Sequence, residues 1–253
     1  AFARAAPARP AAESFGAFYN TQRFAEAESL ARVRLVEAER RAHESLAVAN
    51  WLDSLVMALY ELDRHAEPAT REFARRAIRI REQRLGASSP GVVPSIVLLA
   101  SLYDAASEPA KAESLLLRAE AIQRRAFARD DPARAEVLNE LGRARERLGR
   151  FGEADSTLAE ARRVGERAGP EGDEDRFSNA YYRGSLYASL GRYEESMHAF
   201  EESKAIAERR HGPQHPDVAS SLSGIATALQ RLGRYAEARP LFLSALQVRP
   251  DYA

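Results

Sequence analysis

The sequence predicts an all-α solenoid built from stacked antiparallel helix pairs, and three observations predict it. Leu148-Gly149-Arg150-Phe151, Leu190-Gly191-Arg192-Tyr193 and Leu232-Gly233-Arg234-Tyr235 recur 42 residues apart. Internal repeats of that size mark supersecondary units that bury their apolar faces against one another. Pro90, Pro132 and Pro216 keep the same step, separated by 42 and by twice 42. Between these markers the apolar residues recur at i, i+3, i+4 and i+7, the stripe of one helical face. The phase extends upstream to Ala106-Ser107-Glu108-Pro109, to Leu62-Asp63-Arg64-His65 44 residues earlier, and to Gln22-Arg23-Phe24. About five full repeats therefore follow a partial N-terminal one.

Taken in order, a helix over 24–41 follows the Gln22 turn and completes the partial repeat. The first full repeat pairs helices near 46–62 and 68–85, and its two extra residues fall in the turn between Asp63 and Ala69. The second pairs 91–106 with 110–127, opened by Ser89-Pro90. The third pairs 132–148 with 152–168, opened by Asp131-Pro132. In both openings a side-chain oxygen can cap free N–H groups while proline occupies the first turn, where its missing N–H costs nothing. The fourth pairs 174–190 with 194–210. The fifth pairs 216–232, striped by Leu222, Ile225, Ala226 and Leu229, with 236–248, striped by Ala238, Leu241, Phe242, Ala245 and Val248. Gly149, Gly191 and Gly233 suit the position just past a helix, where positive φ carries no Cβ penalty. Pro250 is expected to close the last helix.

The residues Leu222, Ile225, Ala226, Leu229, Gly233, Tyr235, Ala238, Phe242, Ala245 and Pro250 resemble the tetratricopeptide repeat (TPR), over about residues 10–250. Small residues at Ala100, Gly142, Gly184 and Ala226, and at Ala27, Ala112, Ala154, Ser196 and Ala238, allow the close helix crossings this repeat needs. The long period and the linker His211-Gly212-Pro213-Gln214-His215-Pro216-Asp217-Val218-Ala219 resemble the kinesin-light-chain type, as found in bacterial multidomain proteins. The resemblance implies a right-handed superhelical α-solenoid, a single domain over 10–253, that binds a protein or peptide in its concave groove. That subfamily carries paired asparagines on each first helix. Here the pairs are Asp53-Ser54, Val97-Leu98, Asn139-Glu140, Tyr181-Tyr182 and Ser223-Gly224, so its peptide-recognition mode does not carry over. Bacterial chains with such repeats often hold them beside a kinase, peptidase-like or nucleotide-binding domain, which makes a regulatory arm docked on a catalytic domain the alternative reading.

Thirty-seven Lys+Arg balance 37 Asp+Glu, which argues against bulk attraction to nucleic acid or anionic membrane. No run approaches the roughly 18 apolar residues of a membrane span, so the chain reads as soluble, with the cytoplasm favoured over periplasm or secretion. Cysteine is absent, which excludes disulfides and thiol catalysis. The chain begins without Met, as a fragment or processed chain would. Residues 1–9, rich in Ala, Arg and Pro, are expected to be disordered or frayed. Oligomeric state is left open.

Chemistry is sparse. There is no phosphate loop and no GxGxxG after a strand, and nothing points to a cofactor, a small-molecule ligand or catalysis. His211 and His215 form the one close pair among five histidines, but Gly212-Pro213 separates them and no third ligand is evident, so no metal is expected. Arg41, Arg125, Arg167 and Arg209 fall in one register at second-helix C-termini, where cations are favoured by the helix dipole. An RNA-binding edge is the lesser alternative.

Transferring the repeat pattern places Asn50, Asp53, Met57 and Tyr60 in the groove in the first full repeat. Asn139, Arg143 and Glu146 follow in the third, Tyr181, Tyr182 and Ser185 in the fourth, and Ser223, Thr227 and Gln230 in the fifth. Polar groups with scattered tyrosines can hydrogen-bond a peptide and anchor it. Arg183 stands where the repeat has leucine. The cost of burying it unpaired predicts an acidic partner from Glu140 or Asp173 to Asp175, or a rotated helix. Rotation would open a pocket between the third and fourth repeats, with Tyr181 or Tyr182 touching the ligand.

Overall fold

The computed structural model describes residues 14–248. Among them are twelve α-helices and no strand: α1 (Phe15–Asn20), α2 (Phe24–Arg41), α3 (Leu46–Glu61), α4 (Pro68–Leu85), α5 (Val93–Ala105), α6 (Pro109–Ala126), α7 (Ala135–Arg147), α8 (Phe151–Gly165), α9 (Asp173–Ser189), α10 (Tyr193–His211), α11 (Pro216–Arg231) and α12 (Tyr235–Val248). The expected paired-helix architecture is present, whereas the expectations for residues 1–9 and Pro250 lie outside the described residues. The chain divides into two compact units, Ala1–Ser107 and Glu108–Ala253. In the first, α3 packs between α2 and α4, and α4 meets α5. In the second, each helix from α6 to α12 packs on the next, and α9 also touches α7 and α11.

Each hairpin reverses through one left-handed residue. Gln22, Asp63 and Ser107 hold φ of 59, 57 and 59°, and Gly149, Gly191 and Gly233 hold 72, 73 and 76°. The backbone closes around five of them in the Schellman pattern, in which the residue after the turn donates back across the last helical turn. Arg23 N–H donates to Phe18 O, Arg64 to Leu59, Arg150 to Arg145, Arg192 to Tyr187 and Arg234 to Leu229, all at 2.8–2.9 Å. The turn arginines then pair with a glutamate three residues on, as in Arg64–Glu67 and Arg234–Glu237 at 2.7 Å. Two also reach back to the preceding repeat: Arg64 to Glu28 at 2.8 Å and Arg150 to Glu113 at 2.5 Å. The recurring arginine is thus a brace between repeats.

Helix entries follow the capping expectation. Ser89 Oγ accepts from Gly91 N–H at 3.3 Å and Asp131 Oδ1 from Ala133 N–H at 2.9 Å. Both openings are single 3₁₀ turns, Pro90–Val92 and Pro132–Arg134, ahead of α5 and α7. The helix expected to reach 168 ends at Gly165. A 3₁₀ stretch follows over Glu166–Gly172, broken at Gly169 with φ 62°, because glycine favours leaving the helix where its backbone freedom is greatest.

The apolar stripes meet in the unit cores. In the first, Val48, Ala49, Leu52, Leu55 and Leu59 of α3 lie against Ala31 and Leu35 of α2 and Ala77 and Ile80 of α4. Thr70 is buried at the small-residue position of its second helix, which agrees with two extra residues in the Asp63 turn. In the second unit, Phe200 of α10 fills the space that Gly184 of α9 and Gly224 of α11 leave open. A Cβ at either glycine would stand 2.9 or 2.7 Å from its ring, and one at Gly142 would stand 2.6 Å from Leu158. Gly142 and Gly184 are the crossings the sequence identifies, whereas Gly224 is an addition. Phe242, expected in the core at the register position of Phe200, is only partly buried. Among the described residues α12 packs mainly on α11, so one side of the phenylalanine lacks a covering helix.

Replacing Gly191 with Val should cost about 1–2 kcal/mol, the penalty of a left-handed conformation for a side-chain-bearing residue. Asp63→Gly should stabilise by up to about 1 kcal/mol by relieving the same strain. Equal effects of either sign in urea unfolding would show that these turns are not strained. Phe200→Ala should cost about 3–5 kcal/mol and Phe242→Ala distinctly less. The reverse order would mean that the last helix pair, not the Phe200 crossing, anchors the second unit.

Candidate functional site on the first-helix surface

In the second unit the first helices α7, α9 and α11 lie side by side. The 42-residue register brings equivalent residues within reach of each other. Tyr182 Oη donates to Glu140 Oε1 at 2.7 Å, and Ser189 Oγ donates to Glu146 Oε1 at 2.6 Å. Arg143 pairs with Glu140 at 2.8 Å, and its guanidinium lies 5.1 Å from the centre of the Tyr182 ring. Arg143, Glu146, Tyr182 and Ser185 are partly exposed, so this braced polar strip remains open to solvent. On α11 the hydroxyls of Ser223 and Thr227 donate to Ala219 O and Ser223 O of their own helix, at 3.0 and 2.8 Å. Thr227 and Gln230 are both exposed.

Two expected groove residues are interior instead. Asn139 is 1% exposed. Its Nδ2 donates to Asp175 O at 2.8 Å, and its Oδ1 accepts from Asn179 Nδ2 at 2.8 Å. It is therefore a clamp between α7 and α9. Asp53 is 8% exposed and accepts from Arg81 Nη2 at 2.7 Å and Ser95 Oγ at 2.9 Å. Burial pushes its carboxyl up, against the opposing pull of Arg81. Asn50 stays exposed but accepts from the same Arg81 nitrogen at 2.8 Å. Met57 and Tyr60 are partly buried, and the Tyr60 ring lies 6.0 Å from that of His65. Tyr181 is partly turned into the core, edge-on to Phe200 at 5.3 Å. A polar residue cannot be assigned to a surface by its position in one helix when a partner some 40 residues away can take it inside.

The acidic residues of this face are a feature the repeat pattern missed. Glu136, one helical turn before Glu140, is pushed up to about 7, first by desolvation among its neighbours and then by the charges of Asp175, Glu140 and Glu174, although the residue is exposed at the surface. Asp175 is pushed up to about 6 by burial and by Glu174, opposed by Arg210. The i, i+4 pair Glu136 and Glu140 is visible in the sequence, but the facing acids come from the next repeat.

Arg183 does meet an acid, but none of the expected Glu140 and Asp173 to Asp175. Glu140 is engaged by Tyr182 and Arg143, and Asp173 by Arg176 and by Arg209 at 2.7 Å. The acid is Glu202 of α10, with Oε2 at 3.5 Å from Nη1. A hollow does open between the third and fourth repeats, but Arg183 and Tyr187 line it, not Tyr181 or Tyr182. Two of the late second-helix arginines in the expected register are locally neutralised: Arg167 pairs with Asp130 at 2.9 Å and Arg209 with Asp173 at 2.7 Å.

A third polar group does stand beside the histidine pair. His211, His215 and Asp217 bring ligand-type atoms within 4.8 Å of one another. The rings are stacked, with centroids 4.1 Å apart and planes 20° from parallel, so their in-plane lone pairs run side by side. His215 Nδ1 accepts from Asp217 N–H at 3.3 Å and caps α11. The stacking and the cap account for the motif as a linker device.

Paired helices on a fixed register, reversed at left-handed residues and presenting a braced polar face, define a helical-repeat protein. The profile of the Tetratricopeptide repeat family matches residues 97–167 and 176–251, and the chain belongs to that family. No curated protein matches it. Among solved structures, it is similar to BtubC (BKLC) from P. vanneervenii, at 20% identity over 90% of this chain and 92% of that one, with TM-score 0.68. It is similar to the nearly identical TPR-like repeats of a putative kinesin light chain from Podosopora anserina, at 22% identity, 79% and 94% coverage and TM-score 0.55. It is also similar to Rap protein complexed with Competence and Sporulation Factor, at 12% identity, 94% and 75% coverage and TM-score 0.68. No helix among the described residues is long and apolar enough to cross a membrane.

Because Glu136 holds its proton to a higher pH in the folded chain than in the unfolded one, the folded state binds more protons between the usual carboxylate range and about 7. Its contribution therefore favours folding at low pH and is lost as pH rises through that window. Glu136→Gln should flatten the decline of the urea midpoint between pH 5 and pH 8. An unchanged slope would show that this carboxyl titrates normally.

Proposed function

We propose that the chain is a non-catalytic protein-interaction scaffold whose second unit binds a basic peptide or a positively charged partner helix across α7, α9 and α11. The observation that carries this reading is the acidic end of that face, Glu136, Glu140, Glu174 and Asp175, running into the Arg143–Tyr182 strip. The carboxyls of Glu136 and Asp175 are raised by burial first and by neighbouring like charges second, and an incoming cation favours their charged form against both. Tyr182 offers a ring to the aliphatic stem of a lysine or arginine at small entropic cost. The edges of α7, α9 and α11 supply serine, threonine and glutamine groups for a partner's backbone. Family membership supports interaction as the general role, and the complex of Rap protein with Competence and Sporulation Factor is in keeping with it.

The test is fluorescence anisotropy of labelled Lys/Arg-rich, neutral and Asp/Glu-rich peptides. The basic set should bind most tightly and strengthen between pH 5.5 and 8 as Glu136 and Asp175 ionise. Combined Glu136→Gln and Glu140→Gln should weaken it by about tenfold or more, a loss of about 1.4 kcal/mol. Equal binding of the acidic set, or an unaffected double variant, would overturn the charge assignment.

A further inference from the structure

We propose a second site, distinct from the first-helix face: an oxyanion pocket on the second-helix side of the third and fourth repeats, centred on Arg183. The position itself is the first observation. One repeat to either side it is held by Leu141 and Ile225, 3% and 5% exposed, because it faces the interior between a first helix and its neighbouring second helices. Arginine there cannot fill that space as leucine does. A hollow of about 380 Å³ opens instead, lined by Asp155, Ala159, Arg162, Arg163, Glu166, Arg183 and Tyr187.

The second observation is how poorly the guanidinium is satisfied. The Arg183 side chain is 17% exposed, and Nη1 is shut off from solvent with no protein hydrogen-bond acceptor. Glu202 stands at 3.5 Å as a charge partner only, and Nη2 makes one long bond, to Tyr187 Oη at 3.3 Å. A guanidinium carries five donors in a planar fork matched to phosphate and carboxylate, and one carboxylate at ion-pair distance with one long bond leaves part of that fork unused. Its neighbours are further donors. The Tyr187 ring carries Arg183 on one contact at 5.5 Å and Arg192 on another at 4.5 Å. Arg162 and Arg163 line the hollow, bonded to Glu166 at 2.9 Å and to Asp130 respectively. The acids present, Asp155, Glu166 and Glu202, limit affinity, and Glu202 competes directly for the fork. The ligand class is therefore a compact oxyanion, either free phosphate or carboxylate, or a phosphorylated side chain of a partner.

Titration of the full chain with sodium phosphate at constant ionic strength, followed by NMR of the arginine Nε–H groups with sodium chloride as control, reads the site. The expected result is saturable perturbation of Arg183 by phosphate or by a phosphoserine peptide over its unphosphorylated form. The peptide arm separates a partner's phosphate from the free ion. Arg183→Leu should abolish binding while leaving the chain at least as stable, since leucine suits the position. Arg183→Lys should weaken binding by losing the fork. Glu202→Gln should tighten it by about threefold or more, because it removes the competing charge; a purely structural ion pair would give no gain. Chloride acting as well as phosphate, binding retained by Arg183→Leu, or no tightening in Glu202→Gln would each overturn the proposal.

Discussion

Among the described residues, five hairpins reverse a helix over three residues, or six at Asp63, and one backbone solution serves all five. A single residue in the left-handed region lets the following N–H reach back across the last turn, satisfying carbonyls that would otherwise face water or the core without partners. The next helix then starts at a set angle to the one before. The rest of the architecture depends on this repeated geometry. With the reversal constant, equivalent side chains fall 40 to 43 residues apart in sequence and close in space, as in Tyr182 with Glu140 and Ser189 with Glu146. The turn arginines can likewise span from one repeat to the preceding second helix.

Constant turns permit variable interiors. The Phe200 crossing is tight because glycine stands on both facing helices, Gly184 and Gly224. A large ring there stores much of the local packing energy, since burying a phenylalanine side chain contributes about 1.5–3 kcal/mol. Arg183, one residue before Gly184, occupies the leucine position and turns the neighbouring space polar. The fourth repeat thus combines a closely packed crossing with an opened one, set by adjacent residues of one helix. Stability and a ligand-sized hollow coexist because a solenoid distributes its packing among neighbouring pairs.

The first-helix face has a related division of labour. Asn139 and Asn179 spend their amides on holding α7 to α9, while Glu140, Arg143 and Tyr182 hold one another yet stay within reach of solvent. The interior clamp joins the two helices beneath a strip that stays partly exposed. The acids lie toward the N-terminal ends of α7 and α9, which gives the face a polarity along its helices that a uniform row of serines would lack.

Much of this was legible in the sequence. The period, the helix boundaries, the left-handed glycines and the crossings at Gly142 and Gly184 follow from local rules: the 3.6-residue stripe, the cost of positive φ for a residue with Cβ, and the volume of a side chain. The site was less legible. Asp53 and Asn139 sit at positions that read as exposed and lie inside. Arg183 finds Glu202 instead of Glu140 or Asp173 to Asp175, and Glu136 owes its raised pKa to lost solvation and then to acids that include two of the next repeat. Periodicity specifies which face of a helix a residue occupies, since that depends on neighbours three and four away. Whether a polar group on that face is buried, paired or left wanting an anion depends on side chains some 20 to 40 residues distant, and only the stacked structure brings them together.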